Sequence, residues 1–241
     1  MRAVSAQRWH ELDYVVVDVD VEGNGGHPPE LVEVAVVPIR AGVVGEPRSW
    51  LVRPPSTITW QARKVHGISD HDVADAPPVA DVADEVRTAL GAHAPGDVVV
   101  VGHHVHVDLD VLTRCLPGWQ PVIAYDTLRL ARWLWDLPTY RLGPLAQARH
   151  LDRDLPAGMR PHRAAHDALV TARLFVDLAA GADPDGLTVT QLHDHALAAG
   201  FTTHSTRLPH GDPPRRPARP CSTCHEHHDR TPRVRRHPAM R

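Results

Sequence analysis

The sequence predicts a mixed α/β domain. Strand-like segments open the chain and pair as a hairpin. A short, wholly apolar strand then follows a first helix, and amphipathic helices take over from there. The 241 residues, 42% hydrophobic and 23% charged, suffice for one large domain or one domain with an appendage. Residues 14–21 (YVVVDVDV) alternate apolar and acidic positions and read as a strand. The glycines and prolines of 23–29 make a turn. Residues 31–39 (LVEVAVVPI) form a second strand and 49–52 a third. Residues 79–92 place Val79, Val82, Ala83, Val86 and Leu90 at helical spacing and stop before Pro95-Gly96. Residues 97–101 are a short apolar run of the kind buried in a parallel sheet. Helices follow over 109–116, ended by Pro117-Gly118, over 126–134, opened by Asp126-Thr127, and over 142–150. A long helix is expected over 162–180, with Ala165, Leu169, Ala172, Leu174, Val176 and Leu178 on its apolar side. Residues 187–199 have room for one more. Trp133 and Trp135 read as packing residues rather than base-stacking platforms.

Composition and charge exclude several classes. No run of about 18 apolar residues exists, so no membrane-spanning helix is expected. Residues 1–10 carry Arg2, Arg8 and Trp9 without an apolar core and do not read as a secretory signal, which makes the cytoplasm the expected location. Three cysteines, Cys115, Cys221 and Cys224, cannot build a disulfide framework. From Arg207 onward nine arginines face three acids, a charge of +6 against −9 for the rest of the chain. With seven prolines there and no apolar periodicity, residues 205–241 are expected to be a disordered tail. Its arginines are either plainly solvated or an arm for a polyanion. Cys221 and Cys224, followed by His225, His227 and His228, have zinc-ligand types and spacing. The competing reading is the casual metal affinity of a His-rich tail.

Three groups of acids stand out. Asp18, Asp20 and Glu22 sit two apart on one face of the first strand. Such a row is either a solvent-facing stripe or, given the surrounding valines, a set of converging carboxylates that needs a divalent cation. Asp108 opens the helix after Gly102-His103-His104-Val105-His106-Val107, as an N-cap or as a ligand where α/β sheets bind theirs. Asp167 lies about one turn into an Ala-rich helix after His162, where a buried acid calls for a metal or a partner. His166 beside it reads as a surface histidine.

Together these stretches resemble the DnaQ-like 3′–5′ exonucleases, the His variety of the DEDD superfamily, which have an RNase H-like fold. That family reads D-x-E, then H-N-x-x-x-D, then H-x-x-x-x-D. Asp20-Val21-Glu22 matches the first, His103 to Asp108 the second with His104 in place of Asn, and His162 to Asp167 the third. Supporting matches are Val65-His66-Gly67-Ile68 with Ala76-Pro77, residues 126–132, and Tyr140-Arg141-Leu142-Gly143 with Leu145-Ala146. A second register, Asp18-Val19-Asp20, would put Asp for Glu and Gly23 at the family's glycine offset. The Asp20/Glu22 register keeps a true Glu, puts Gly25 there, and is preferred.

The resemblance implies a five-stranded mixed sheet flanked by helices over residues 13–182. Residues 1–12 precede it as an N-terminal segment, and 183–204 carry a possible extra helix before the tail. It implies that Asp20, Glu22, Asp108 and Asp167 hold two divalent ions, Mg²⁺ or Mn²⁺, and that His162 is the general base acting on water. The implied reaction is metal-dependent hydrolysis of single-stranded DNA from its 3′ end to nucleoside 5′-monophosphates, of proofreading or repair type, with a DNA polymerase or repair protein as partner. An exoribonuclease of the same mechanism and a non-catalytic nucleic-acid-binding module are the alternatives. His66 and Arg63 either line the substrate groove or belong to a plain loop, and His103 shapes the site or serves structure alone.

Overall fold

The computed structural model describes residues 7–23, 28–91, 98–181 and 184–198. The Pro/Arg/His-rich tail, with Cys221 and Cys224, lies outside the described residues, as do 24–27 of the first turn.

A six-stranded mixed sheet carries the domain. β1 (Tyr14–Glu22) and β2 (Glu30–Arg40) pair antiparallel along almost their whole length. β5 (Val99–Gly102) joins β1 in parallel, and β6 (Ala124–Asp126) joins β5 in parallel. β3 (Val43–Val44) and β4 (Arg48–Leu51) both pair with the outer side of β2, at Ile39–Arg40 and Glu33–Val36. Six strands thus fill five positions across the sheet. β6 lies where the sequence reading has no strand and starts a helix only at Asp126, because three residues are too few to show an alternation.

Strand alternation sorts the core into two layers. Tyr14, Val16, Ala35, Val37 and Val101 face α4 (Thr127–Leu134), α5 (Leu142–Arg149), α6 (Ala164–Gly181) and α7 (Val189–Ala196). Val15, Val17, Val34, Val36 and Val100 face α2 (Val79–Ala89) and α3 (His106–Cys115). α6 lies across β1 and β2, and its small residues Ala164, Ala168, Thr171, Ala172 and Ala179 are fully buried. α7 packs on α4, and the Ala198 N–H donates to the Ala124 carbonyl at 2.8 Å.

α1 (Trp60–His66) has no counterpart in the sequence reading. Only His66 of it is buried, so no apolar stripe marks it. Its ends are nonetheless defined locally. The Thr59 hydroxyl accepts the Ala62 N–H, and Gly67 closes the helix at φ 75°. α3 begins at His106, three residues before the expected start. No helix among the described residues is long and apolar enough to cross a membrane.

Candidate active site

The site forms where β1 outruns its parallel neighbour. β5 pairs with β1 only as far as Val16, while β1 continues to Glu22. Asp13 accepts the Val99 N–H, so odd-numbered backbone groups of β1 point toward β5, and the Val19 N–H points past its end. Asp108 Oδ1 accepts that N–H at 3.0 Å. Asp108 is therefore not a helix cap; it sits in the first turn of α3, buried against β1. Gly102 makes this approach possible, because a Cβ there would stand 2.6 Å from Val105 Cγ2. The chain leaves β5 and enters α3 within a space that only glycine fits.

Tyr14 and Val16 lie under α6, so by strand alternation Asp18 and Asp20 face α6 as well. Asp20 Oδ2 accepts the Ala164 N–H, the first of α6, at 2.9 Å. Asp20 stands opposite Glu33 of β2. Burial first and the Glu33 carboxylate second push the Asp20 carboxyl up to about 8, against the Ala164 bond, which favours the charged form. Burial likewise pushes Asp108 up to about 8, opposed by the Val19 N–H and raised further by Asp126 and Asp20. Asp18 lies well above the usual carboxylate range, from burial and then the charges of Asp108, Asp167, Asp20 and Glu33.

Glu22 occupies a different neighbourhood. The register of β1 shifts between Asp20 and Val21. Glu22 Oε2 takes the Thr59 N–H at 2.6 Å, its Oε1 is buried without a protein partner, and its charge acts on His66. The charges of Asp108, Asp167 and Asp20 act on Asp18, whereas Glu22 bonds the start of α1. The sequence preference rested on residue identity, Glu over Asp, and the register shift was invisible to it.

His162 precedes α6 at φ 62° with an exposed side chain, and its N–H lies 3.4 Å from Asp167 Oδ1. His166 is not a surface residue. It is buried, and its Nδ1 lies 2.7 Å from Asp167 Oδ1. Helical spacing from Asp167 gave no warning of this burial; His166 lines a cavity of which the segment around Tyr140 forms another wall.

His103 ties that wall to the sheet. Its Nε2 lies 2.9 Å from the Tyr140 carbonyl and its Nδ1 2.9 Å from the Thr127 hydroxyl. A carbonyl only accepts, so Nε2 carries the proton, while the Thr127 hydroxyl stands between Nδ1 and the Gly102 carbonyl at 3.2 Å. Burial lowers the His103 pKa, in keeping with a neutral ring. His66 turns its Nδ1 to the Ile68 N–H at 3.0 Å and is buried at the end of α1, while Arg63 is exposed.

Two residues escaped the sequence reading. Arg163 Nε donates to Glu33 Oε2 at 2.8 Å, and the Glu33 side chain is 5% exposed. His162, Arg163 and Ala164 are thereby tied to Asp167, Glu33 and Asp20 in turn. Glu33 does carry a signal, an acid within the apolar run LVEVAVVPI, but nothing local points it to Arg163.

Among the described residues no three ligand-type side chains stand close enough together to cage an ion. The chemistry of the donor set nonetheless fits hard divalent cations. Asp18, Asp20 and Asp108 are mutually repelling carboxyls, and oxygen donors of that kind suit Mg²⁺ or Mn²⁺.

Comparison with known proteins identifies the family. The exonuclease family of the RNase T kind matches residues 15–175. Exodeoxyribonuclease 10 of Escherichia coli K12 is 32% identical over 179 residues, 74% of this chain and 73% of that protein. DNA polymerase III subunit epsilon of Aquifex aeolicus is 27% identical over 172 residues, covering 68% and 79%. The structure of Exonuclease X in complex with 5′ overhanging duplex DNA superposes with a TM-score of 0.60 at 30% identity, over 75% of this chain and 98% of that one. The nuclease domain of 3′hExo, a DEDDh family member, shares the fold with a TM-score of 0.58 at 14% identity, over 72% and 94%. The chain belongs to the exonuclease family, among the DnaQ-like 3′–5′ exonucleases, and is a hydrolytic nuclease.

Proposed function

We propose that the protein removes nucleoside 5′-monophosphates from the 3′ end of single-stranded DNA, using two divalent ions, Mg²⁺ or Mn²⁺. The observations that carry this reading are that Asp108 reaches the Val19 N–H beyond the end of β5, Asp20 the Ala164 N–H and Asp167 the His162 N–H, while the charges of Asp108, Asp167 and Asp20 act on Asp18. Asp18, Asp20, Asp108 and Asp167 are the proposed ligands, which keeps three of the expected set and puts Asp18 in place of Glu22. Bound there, divalent ions would supply Lewis-acid stabilisation of the attacking and leaving oxygens of the phosphodiester.

The chain's own residues do the rest. The His162 imidazole accepts the proton of the attacking water as general base. Its side chain is free to reach the water while its backbone is held by Asp167 and, through the next residue, by Glu33. Glu22 fixes Thr59 and hence the start of α1. DNA is the proposed substrate because Exodeoxyribonuclease 10 and Exonuclease X bear DNA in their names or complexes. A repair-type role follows the same likeness; association with a polymerase is the alternative suggested by the likeness to an epsilon subunit.

The test is cleavage of 5′-labelled single-stranded DNA and RNA with Mg²⁺, Mn²⁺ or EDTA, by the wild type, Asp18→Asn, Glu22→Gln and Asp167→Ala. The expected result is a metal-dependent ladder shrinking from the 3′ end, faster on DNA. Several kcal/mol of lost stabilisation predict about a thousandfold loss in Asp18→Asn and Asp167→Ala, with Glu22→Gln within about tenfold of wild type. Loss in Glu22→Gln with Asp18→Asn active would restore the other register. No shortening of either strand would sink the nuclease reading.

A further inference from the structure

We propose that the cavity leading from His162 to the segment between α4 and α5 holds the single-stranded DNA backbone on the 5′ side of the bond being cut, with Arg132 and Arg141 meeting its phosphates. The inference rests on the exonuclease reading of the same site. The cavity measures about 1000 Å³, at the upper end of the roughly 300–1,000 Å³ typical of pockets for one small ligand. His162 and Asp167 line it together with Arg132, Tyr140 and Arg141. An enzyme that cuts the last nucleotide must lead the rest of the strand away from the cut. This cavity is continuous with the cut site, so it is a path of the required kind.

The walls have the chemistry for a polyanion. Both arginines are exposed, and among the described residues no carboxylate forms an ion pair with either. The Arg132 guanidinium lies over the Tyr140 ring, 5.7 Å from its centroid, which holds the charge at the wall. Asp152 is the one acid on the lining besides Asp167. The His103 bond to the Tyr140 carbonyl pins the arginine-bearing wall to the end of β5. Arg141 therefore stands in a set relation to the catalytic end instead of on a free loop.

The experiment compares wild type with Arg132→Gln, Arg141→Gln and the double variant, which retain much of the side-chain stem. Two substrates are used: a single-stranded 12-mer of DNA, and the p-nitrophenyl ester of thymidine 5′-monophosphate, which has no nucleotide on the 5′ side. The ratio of kcat/KM for the 12-mer over that for the ester should fall about tenfold or more in the double variant. The slope of log kcat/KM for the 12-mer against log salt should become shallower by about 0.7 per arginine removed. Thermal melting shows whether each variant is folded. Wild-type ratio and slope in folded variants would overturn this inference alone. A wild type that cuts neither substrate would overturn the exonuclease reading, and this inference with it.

Discussion

Removing metal should make the protein's stability fall as pH rises through neutrality, and Mg²⁺ should reverse that fall. Asp20 and Asp108 titrate near 8 in the folded chain because both are buried beside other acids, against about 3.9 when unfolded. A group with a raised folded pKa binds its proton more tightly in the native state. Between these values the unfolded chain has released the proton and the folded one has not, so stability declines with pH. At about 1.4 kcal/mol per unit, the loss between pH 6 and pH 8 is about 2 kcal/mol for one such carboxyl. Ionising one carboxyl opposes ionisation of the other, so the second keeps its proton further up the pH range. For a domain of this size about 2 kcal/mol corresponds to roughly 4–8 °C in Tm.

A bound cation favours the ionised carboxylates. At about 100 times Kd it contributes about 2.7 kcal/mol, and it does so most where protons no longer compete. The assay is thermal unfolding at pH 6 and pH 8, each in EDTA and in excess MgCl₂. The gain from Mg²⁺ should be several degrees larger at pH 8. Comparing the gain at the two pH values cancels titrations elsewhere in the chain. Equal gains at both pH values, or a Tm in EDTA that rises from pH 6 to pH 8 and keeps rising in Asp108→Asn, would refute the argument.

Arg163→Met strips the counter-charge from buried Glu33 and should destabilise the fold by about 2–3 kcal/mol, less than a fully buried pair because Arg163 is partly exposed. Arg163→Lys should recover much of that in urea unfolding. Replacing His162 with Ala should lower kcat by about 10²- to 10⁴-fold with little change in melting temperature, since the side chain is exposed. Gly102→Ala sets a Cβ against Val105; it should cost about 1–3 kcal/mol and, by moving α3 and Asp108, slow cleavage at saturating substrate.

The alternation of valine and aspartate in β1, the apolar run of β5 and the small-residue face of α6 were all legible from the chain alone. Each is a local pattern, and a local pattern is enough to say which face of an element turns inward. The spacing from His162 to Asp167 was legible for the same reason, since both lie within one turn of a helix and its entry. Three features were not. β6 is three residues long and becomes a strand only because β5 is there to pair with it. Glu33 and Arg163 meet across 130 residues of sequence, so no window along the chain contains both. His166 is buried by packing that its own helix does not announce. The choice between Asp18 and Glu22 belongs with these. Strand periodicity puts both on one face of β1 and is silent on where β5 ends, where β1 slips its register and which carboxylates α3 and α6 deliver beside it. Those are relations between elements, and only packing in three dimensions sets them.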